Sequence, residues 1–107
     1  MSPKRLIPAL LCALLSTAVH ADYEAGVTAA QNGDYATALQ EFQLAADEGL
    51  DLAQYNLAIL YFTGRGVEQD YTLALHWTTK AAEQGHLNAQ FNLGALYYTG
   101  MGTAVDL

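Results

Sequence analysis

Apolar positions after residue 21 recur at steps of three and four, so the chain is predicted to be helical. Ala53, Leu57, Leu60 and Tyr61 fall on one face of a helix predicted over 52–63. Tyr71, Ala74, Leu75, Thr78 and Ala82 do the same over 71–84. Gly64-Arg65-Gly66 ends the first of these, because glycine accepts the left-handed geometry that closes a helix, and Gly85 ends the second. Asp70 stands where its carboxylate can cap the second helix at the positive end of the dipole. The same reading predicts helices over 23–32, 35–48 and 88–99. Ala38, Ala45, Ala74 and Ala81 are small where helices would cross, which lets backbones approach closely.

These helices repeat. Sliding the chain by 36 residues lays Ala53, Gln54, Asn56, Leu57, Leu60, Tyr61 and Gly64 on Ala89, Gln90, Asn92, Leu93, Leu96, Tyr97 and Gly100. The same shift carries Asp34, Tyr35, Ala38, Leu39, Ala45 and Ala46 onto Asp70, Tyr71, Ala74, Leu75, Ala81 and Ala82. A fixed period of this length is the mark of stacked two-helix units, none of which can bury its apolar face alone. The units span about 22–50, 51–86 and 87–107. The last is incomplete, because Asp106-Leu107 align with Asp70-Tyr71 and the partner helix is missing. The predicted fold is an all-α, right-handed solenoid of antiparallel helix pairs with about two and a half repeats. On this reading the face of Leu93, Leu96 and Tyr97 has nothing in the same chain to cover it. Either the sequence belongs to a longer array or that end packs against another chain.

The string Ala81-Ala82-Glu83-Gln84-Gly85-His86 followed by Asn88-Ala89-Gln90-Phe91-Asn92-Leu93-Gly94 and Tyr97-Tyr98-Thr99-Gly100 resembles the Sel1-like repeat, a relative of the tetratricopeptide repeat. Gly64-Arg65-Gly66-Val67 with Asp70-Tyr71, Ala74-Leu75 and Trp77 is similar to its loop and second helix. The first unit looks more like an ordinary tetratricopeptide repeat, lacking the Gly-x-Gly loop and carrying Glu41 where Trp77 aligns. The resemblance implies a scaffold for protein–protein interaction whose partner is set by variable surface positions.

Residues 1–21 read differently. Lys4 and Arg5 precede an apolar run over 6–19, and Val19-His20-Ala21 ends on a small residue. That is the pattern of a secretory signal with cleavage after Ala21, and the run is shorter than the roughly 20 residues that span a bilayer. The alternative is an uncleaved anchor. Cys12 lies inside the greasy run and follows the bulky Leu11, so it is read as part of that run rather than as a lipid-modified residue. Cleavage predicts a periplasmic or secreted bacterial protein that does not insert into a membrane afterwards.

Charge and chemistry narrow the function. Beyond residue 21 the chain keeps all 11 carboxylates against two cations, Arg65 and Lys80. So acidic a surface repels nucleic acid, which needs a cationic footprint. Ser2, Ser16 and Cys12 all fall within the signal, so the remainder lacks the commonest acyl-transfer nucleophiles. Some secreted, cysteine-rich members of the Sel1-like family are linked to β-lactam hydrolysis; without serine or cysteine this chain gives that alternative little support, and the reading is of a non-enzyme. His76 and His86 are ten residues apart, not a ligand spacing on one helix face, and Asp47, Glu48 and Asp51 are read as a solvated helix end. No metal or cofactor is therefore expected.

Binding is what remains. Tyr55, Ile59 and Phe62 form a second apolar set on their helix, repeated as Phe91, Ala95 and Tyr98. An interior helix of a solenoid touches neighbours on two sides, so the set is either core or a lining for a protein or peptide partner. Asn56 and Asn92 are either amides tying helices together or peptide-binding amides. The candidate partner-binding residues are thus Tyr55, Asn56, Ile59, Phe62, Phe91, Asn92 and Tyr98. Self-association through residues 88–99 is the third reading, beside the docking module and the hydrolase.

Overall fold

A computed structural model describes residues 9–100, with side chains from Thr17 onward. Five helices follow one another: α1 (Ala9–Gln31), α2 (Tyr35–Asp47), α3 (Asp51–Thr63), α4 (Tyr71–Glu83) and α5 (Leu87–Thr99). There is no strand among the described residues. Four of the five begin and end within one residue of the predicted limits. Their ends are set by local chemistry. Asp34 and Asp70 accept hydrogen bonds from the backbone N–H groups of Thr37 and Leu73, at 3.2 and 3.0 Å, and so cap α2 and α4. Gly64 and Gly100, at φ of 71° and 75°, take the left-handed conformation that closes α3 and α5.

The exception is α1, predicted to start near residue 23 and found to start at Ala9. Between Ala9 and Ala25 there is neither glycine nor proline, so nothing in the backbone interrupts the apolar stretch before the first repeat unit. The helix runs through Ala21 without a break, and Val19 packs against the same core as Tyr23. The charged start of the predicted signal, Lys4 and Arg5, and the Asp106-Leu107 pair that would open a further helix lie outside the described residues. Among the described residues no helix is long and apolar enough to cross a membrane.

Each helix packs chiefly against its neighbours in sequence, α1 on α2, α2 on α3, α3 on α4 and α4 on α5, which is the arrangement of a solenoid. The alanines predicted at crossings, Ala38, Ala45, Ala74 and Ala81, are all buried. Ala38 and Ala45, together with Ala53, Phe42, Leu57, Leu60 and Trp77, form a core spanning the first two units, while Ala81, Ala82 and Ala89 seat α5 on α4. Side-chain amides, Gln54 buried and Gln90 exposed, tie the stack. Gln54 donates to the Ala46 carbonyl at 3.2 Å, and its repeat equivalent Gln90 donates to the Ala82 carbonyl at 3.1 Å.

The open end differs from expectation. Leu96 is buried and Leu93 half-buried against Ala81, Ala82 and Ala89, so of the face predicted to be bare only Tyr97 is exposed. The reason is that α5 leans back onto the preceding unit and does not wait for a partner of its own. The side chains of α5 that stand furthest out in solvent are Leu87, Phe91 and Tyr98, the latter two 79% and 88% exposed.

Candidate functional site

A groove of about 280 Å³ opens where α3, α4 and α5 meet. Its floor is made by Ala58, Ala74, Thr78 and Leu96, all buried, and its walls by Tyr55, Ile59 and Phe62 from α3 facing Asn92, Ala95 and Thr99 from α5. The lining is overwhelmingly apolar, as ligand-binding clefts usually are.

Several contacts hold the walls in place. Tyr55 stacks on His86 with ring centroids 4.5 Å apart, and its hydroxyl oxygen accepts from the Asn92 amide at 3.4 Å. His86 in turn accepts, through Nδ1, the backbone N–H of Ala89 at 3.1 Å and thereby caps α5. Phe62, 37% exposed, leans on the Tyr71 ring at 5.3 Å, which fixes the outer end of the groove. Gln84 donates to both the Gly49 carbonyl and the Gln54 Oε1, at 2.9 and 2.8 Å, tying the end of α4 back to the preceding turn.

Of the seven residues singled out from sequence, the fold brings Tyr55, Ile59, Phe62 and Asn92 together around this groove. Asn56 belongs elsewhere: its amide donates to the Tyr23 hydroxyl at 3.4 Å and to the Leu52 carbonyl at 2.8 Å, in the equivalent position one unit earlier. Both asparagines therefore tie the first helix of one unit to the first helix of the unit before it. Phe91 and Tyr98 do not line the groove and are solvent-exposed on α5. The floor residues Ala58, Ala74, Thr78 and Leu96 escaped sequence reasoning, because a small residue at helical spacing looks the same under a cavity as under a packed side chain.

Two titratable groups, both in the first unit, are displaced from their ordinary values. Burial, reinforced by the neighbouring carboxylate of Glu24, holds the Tyr23 hydroxyl above the usual tyrosine range, with the Asn56 hydrogen bond opposing and Asp51 adding to the rise. The hydrogen bonds from Thr37 hold the Asp34 carboxyl below the usual carboxylate range. His76 sits edge-on to Trp77 at 5.0 Å. Asp47 accepts from the Gln43 amide at 2.9 Å, and Asp51 stands in the first turn of α3, where the dipole favours its charge. No group of three or more metal-ligating side chains occurs among the described residues.

Comparison with known proteins gives a family and a fold. The family described as Sel1 repeat matches residues 51–86 and 87–107. Among solved structures, a protective antigen present in uropathogenic Escherichia coli strains and displaying an SLR fold superimposes with a TM-score of 0.77 at 35% identity, covering 82% of this chain and 20% of that one. A Sel1 repeat protein from Oxalobacter formigenes does so with a TM-score of 0.75 at 33% identity, covering 82% of this chain and 27% of that one. The chain thus spans about a fifth to a quarter of the length of these two structures. No curated protein matches the sequence.

Proposed function

Because this chain belongs to the Sel1 repeat family, whose units generally mediate protein–protein interaction, we propose that it is a non-catalytic docking module for a protein or peptide partner in the bacterial envelope or outside the cell. The observation that carries this reading is the groove between α3, α4 and α5: apolar walls braced by hydrogen bonds and ring contacts, with no buried side-chain nitrogen or oxygen left unpartnered among the described residues. Such a surface can take up apolar side chains but offers no reactive group of its own. Export rests on the charged, apolar and small-residue order of residues 1–21. The acidity of the remainder argues against nucleic-acid partners.

Capture from envelope extract tests the interaction. Tyr55→Ala and Phe62→Ala should lose the captured protein while Leu44→Ala, an exposed position on α2, keeps it, with circular dichroism confirming that all three remain helical. Equal capture by all of them would count against the groove. Export is tested by mass spectrometry of the periplasmic fraction, where the chain should begin at Asp22; a product retaining residues 1–21 would refute cleavage. Self-association through residues 88–99 is a second reading, supported by the exposure of Phe91 and Tyr98. It predicts a mass by light scattering that rises with concentration and returns to the monomer value in Phe91→Asp.

A further inference from the structure

Helices α3 and α5 hold equivalent places in successive units and are seated almost alike. They correspond at a shift of 36, whereas α1 and α3 correspond at 32, because the connection from Gln31 to Tyr35 is four residues shorter than the one from Thr63 to Tyr71. Tyr23 and Gly26 then fall on Tyr55 and Ala58. Hydrogen bonds keep that register. Asn56 donates to Tyr23 as Asn92 donates to Tyr55, both at 3.4 Å, and Gln54 and Gln90 each donate to a carbonyl of the preceding helix.

The two helices differ at their N-termini. Leu50, before α3, makes no side-chain hydrogen bond to its helix, whereas its counterpart His86 accepts the Ala89 N–H on Nδ1 at 3.1 Å. The caps of α2 and α4, Asp34 and Asp70, are carboxylates. Among the described residues His86 is thus the one cap built on an imidazole, the side chain whose ordinary titration falls in mildly acidic water, well above the carboxylates. Nδ1 accepts a hydrogen bond only while unprotonated, so the single ring proton of the neutral form sits on Nε2. A second proton must land on the capping atom itself.

That proton turns the acceptor into a donor facing the Ala89 N–H, at the positive end of the α5 dipole. The ring then has to turn away, and it leaves the face of Tyr55, on which it is stacked at 4.5 Å. Attraction between an imidazolium and the Tyr55 ring opposes this by a factor of about 2 to 5. Loss of the cap and the unfavourable dipole together weigh about 10- to 30-fold, and they win. α3 is packed between α2 and α4, but α5 has only α4 before it in the stack and absorbs the loss less well.

We propose that His86 is a proton-operated latch on α5: a proton on Nδ1 frees the start of the helix from Tyr55, and the groove wall of Asn92, Ala95 and Thr99 loosens with it. The groove is firm in neutral surroundings and slack in mildly acidic ones. That consequence for a partner rests on the docking-module reading above, while the latch itself does not. The charged and titratable groups on the elements around His86 are Glu48 in the turn that Gln84 grips, Asp51 and Tyr55 on α3, and Lys80 and Glu83 on α4; α5 has none before Tyr97. None of them caps α5, so their variants serve as controls.

The test is an NMR titration of the full, 15N-labelled chain between about pH 8 and about pH 5, with no ligand present. The ring 15N shifts of His86 should show the proton on Nε2 at the upper end. The Ala89 amide should move with the same midpoint as the His86 ring, and the exchange protection of the α5 amides should fall about 3- to 10-fold through it while that of α3 holds. His86→Asn supplies a cap that does not titrate and should keep α5 seated throughout; His86→Ala should leave it loosened throughout. His76→Asn and Glu83→Gln should retain the wild-type response. An Ala89 amide that ignores the His86 ring, α5 protection that is constant or rises in acid, or the same fall in His86→Asn overturns the proposal. The wild-type midpoints decide it even should a variant unfold. Capture of the envelope partner should weaken in acid for the wild type and not for His86→Asn; capture that is indifferent to pH while α5 loosens would overturn the control of the groove. Failure to capture any partner at any pH would count against the docking module alone, with the α5 titration still deciding the latch.

Discussion

The first and second units present the same plan of two helices, a capping aspartate and an Asn–Tyr tie to the first helix of the following unit, yet one is closed and the other hollow. In the first, Phe42 fills the wedge and Gly26 makes room for it. In the second, Thr78 and Ala95 leave the wedge empty while Tyr55, Ile59 and Phe62 keep its walls standing. The two spaces differ by a few side chains on a shared backbone plan. In a repeat protein the stacking residues can thus stay the same while a few interior positions convert a piece of core into an open groove.

Emptying the closed unit is the harshest way to break this comparison. Phe42→Thr should cost about 3–5 kcal/mol, the usual range for removing a buried aromatic ring, and be visible as a large fall in the urea midpoint. A loss below about 1 kcal/mol would mean that the first wedge tolerates a void as readily as the second. The loops that set the two registers come next. Gly66 has φ of +74°, and an added Cβ would lie 2.5 Å from the Tyr35 carbonyl oxygen, so Gly66→Ala suffers both strain and a clash and should cost about 2–4 kcal/mol. Gly33, at φ of +78° but with open space around it, should show the backbone strain alone, about 1–2 kcal/mol for Gly33→Ala. Equal losses at the two glycines would show that the close approach of Gly66 to Tyr35 is unimportant.

A double-mutant cycle sharpens the comparison. Gly26→Ala alone should cost about 1–3 kcal/mol through overpacking against Phe42, whereas in the Phe42→Thr background the same change should be neutral or stabilising, because Ala58 and Thr78 already coexist in the second unit. Additive effects would contradict the pairing. The smallest effects on overall stability come from the two displaced titratable groups, both in the first unit. Asp34 is lowered in the folded chain by its bonds with Thr37, so its contribution is present above the ordinary carboxylate range and is lost as pH falls through its folded value. Tyr23 is raised, first by burial, so its contribution is present below the ordinary tyrosine range and is lost as pH rises through its folded value. Thermal melts across pH should show these as shallow declines at the acid and alkaline ends, the former removed by Asp34→Asn and the latter by Tyr23→Phe.

The repeat, the limits of four helices, the capping aspartates and the alanines at the crossings were all legible in the residues. Each of these depends on local spacing, on a side chain reaching its own backbone, or on a period that the chain displays directly. The pair formed by Asp70 and Gly64 needs no knowledge of a third helix to end one element and begin the next. The start of α1 was not legible, because a run of apolar helix formers looks alike as a separate leader and as the first turns of a longer helix.

What only the tertiary structure decided was which of two apolar faces on each helix is covered, and where packing stops short of filling space. Tyr55 and Phe91 hold the same place in the repeat, but His86 and Asn92 lie over the first and leave the second in solvent. Phe42 and Thr78 likewise sit at one position of one pattern, yet the void at Thr78 exists only because side chains from α3, α4 and α5 converge around it without meeting. Periodicity is a property of one helix at a time, whereas a cavity is the volume left over when three helices from different parts of the chain have packed.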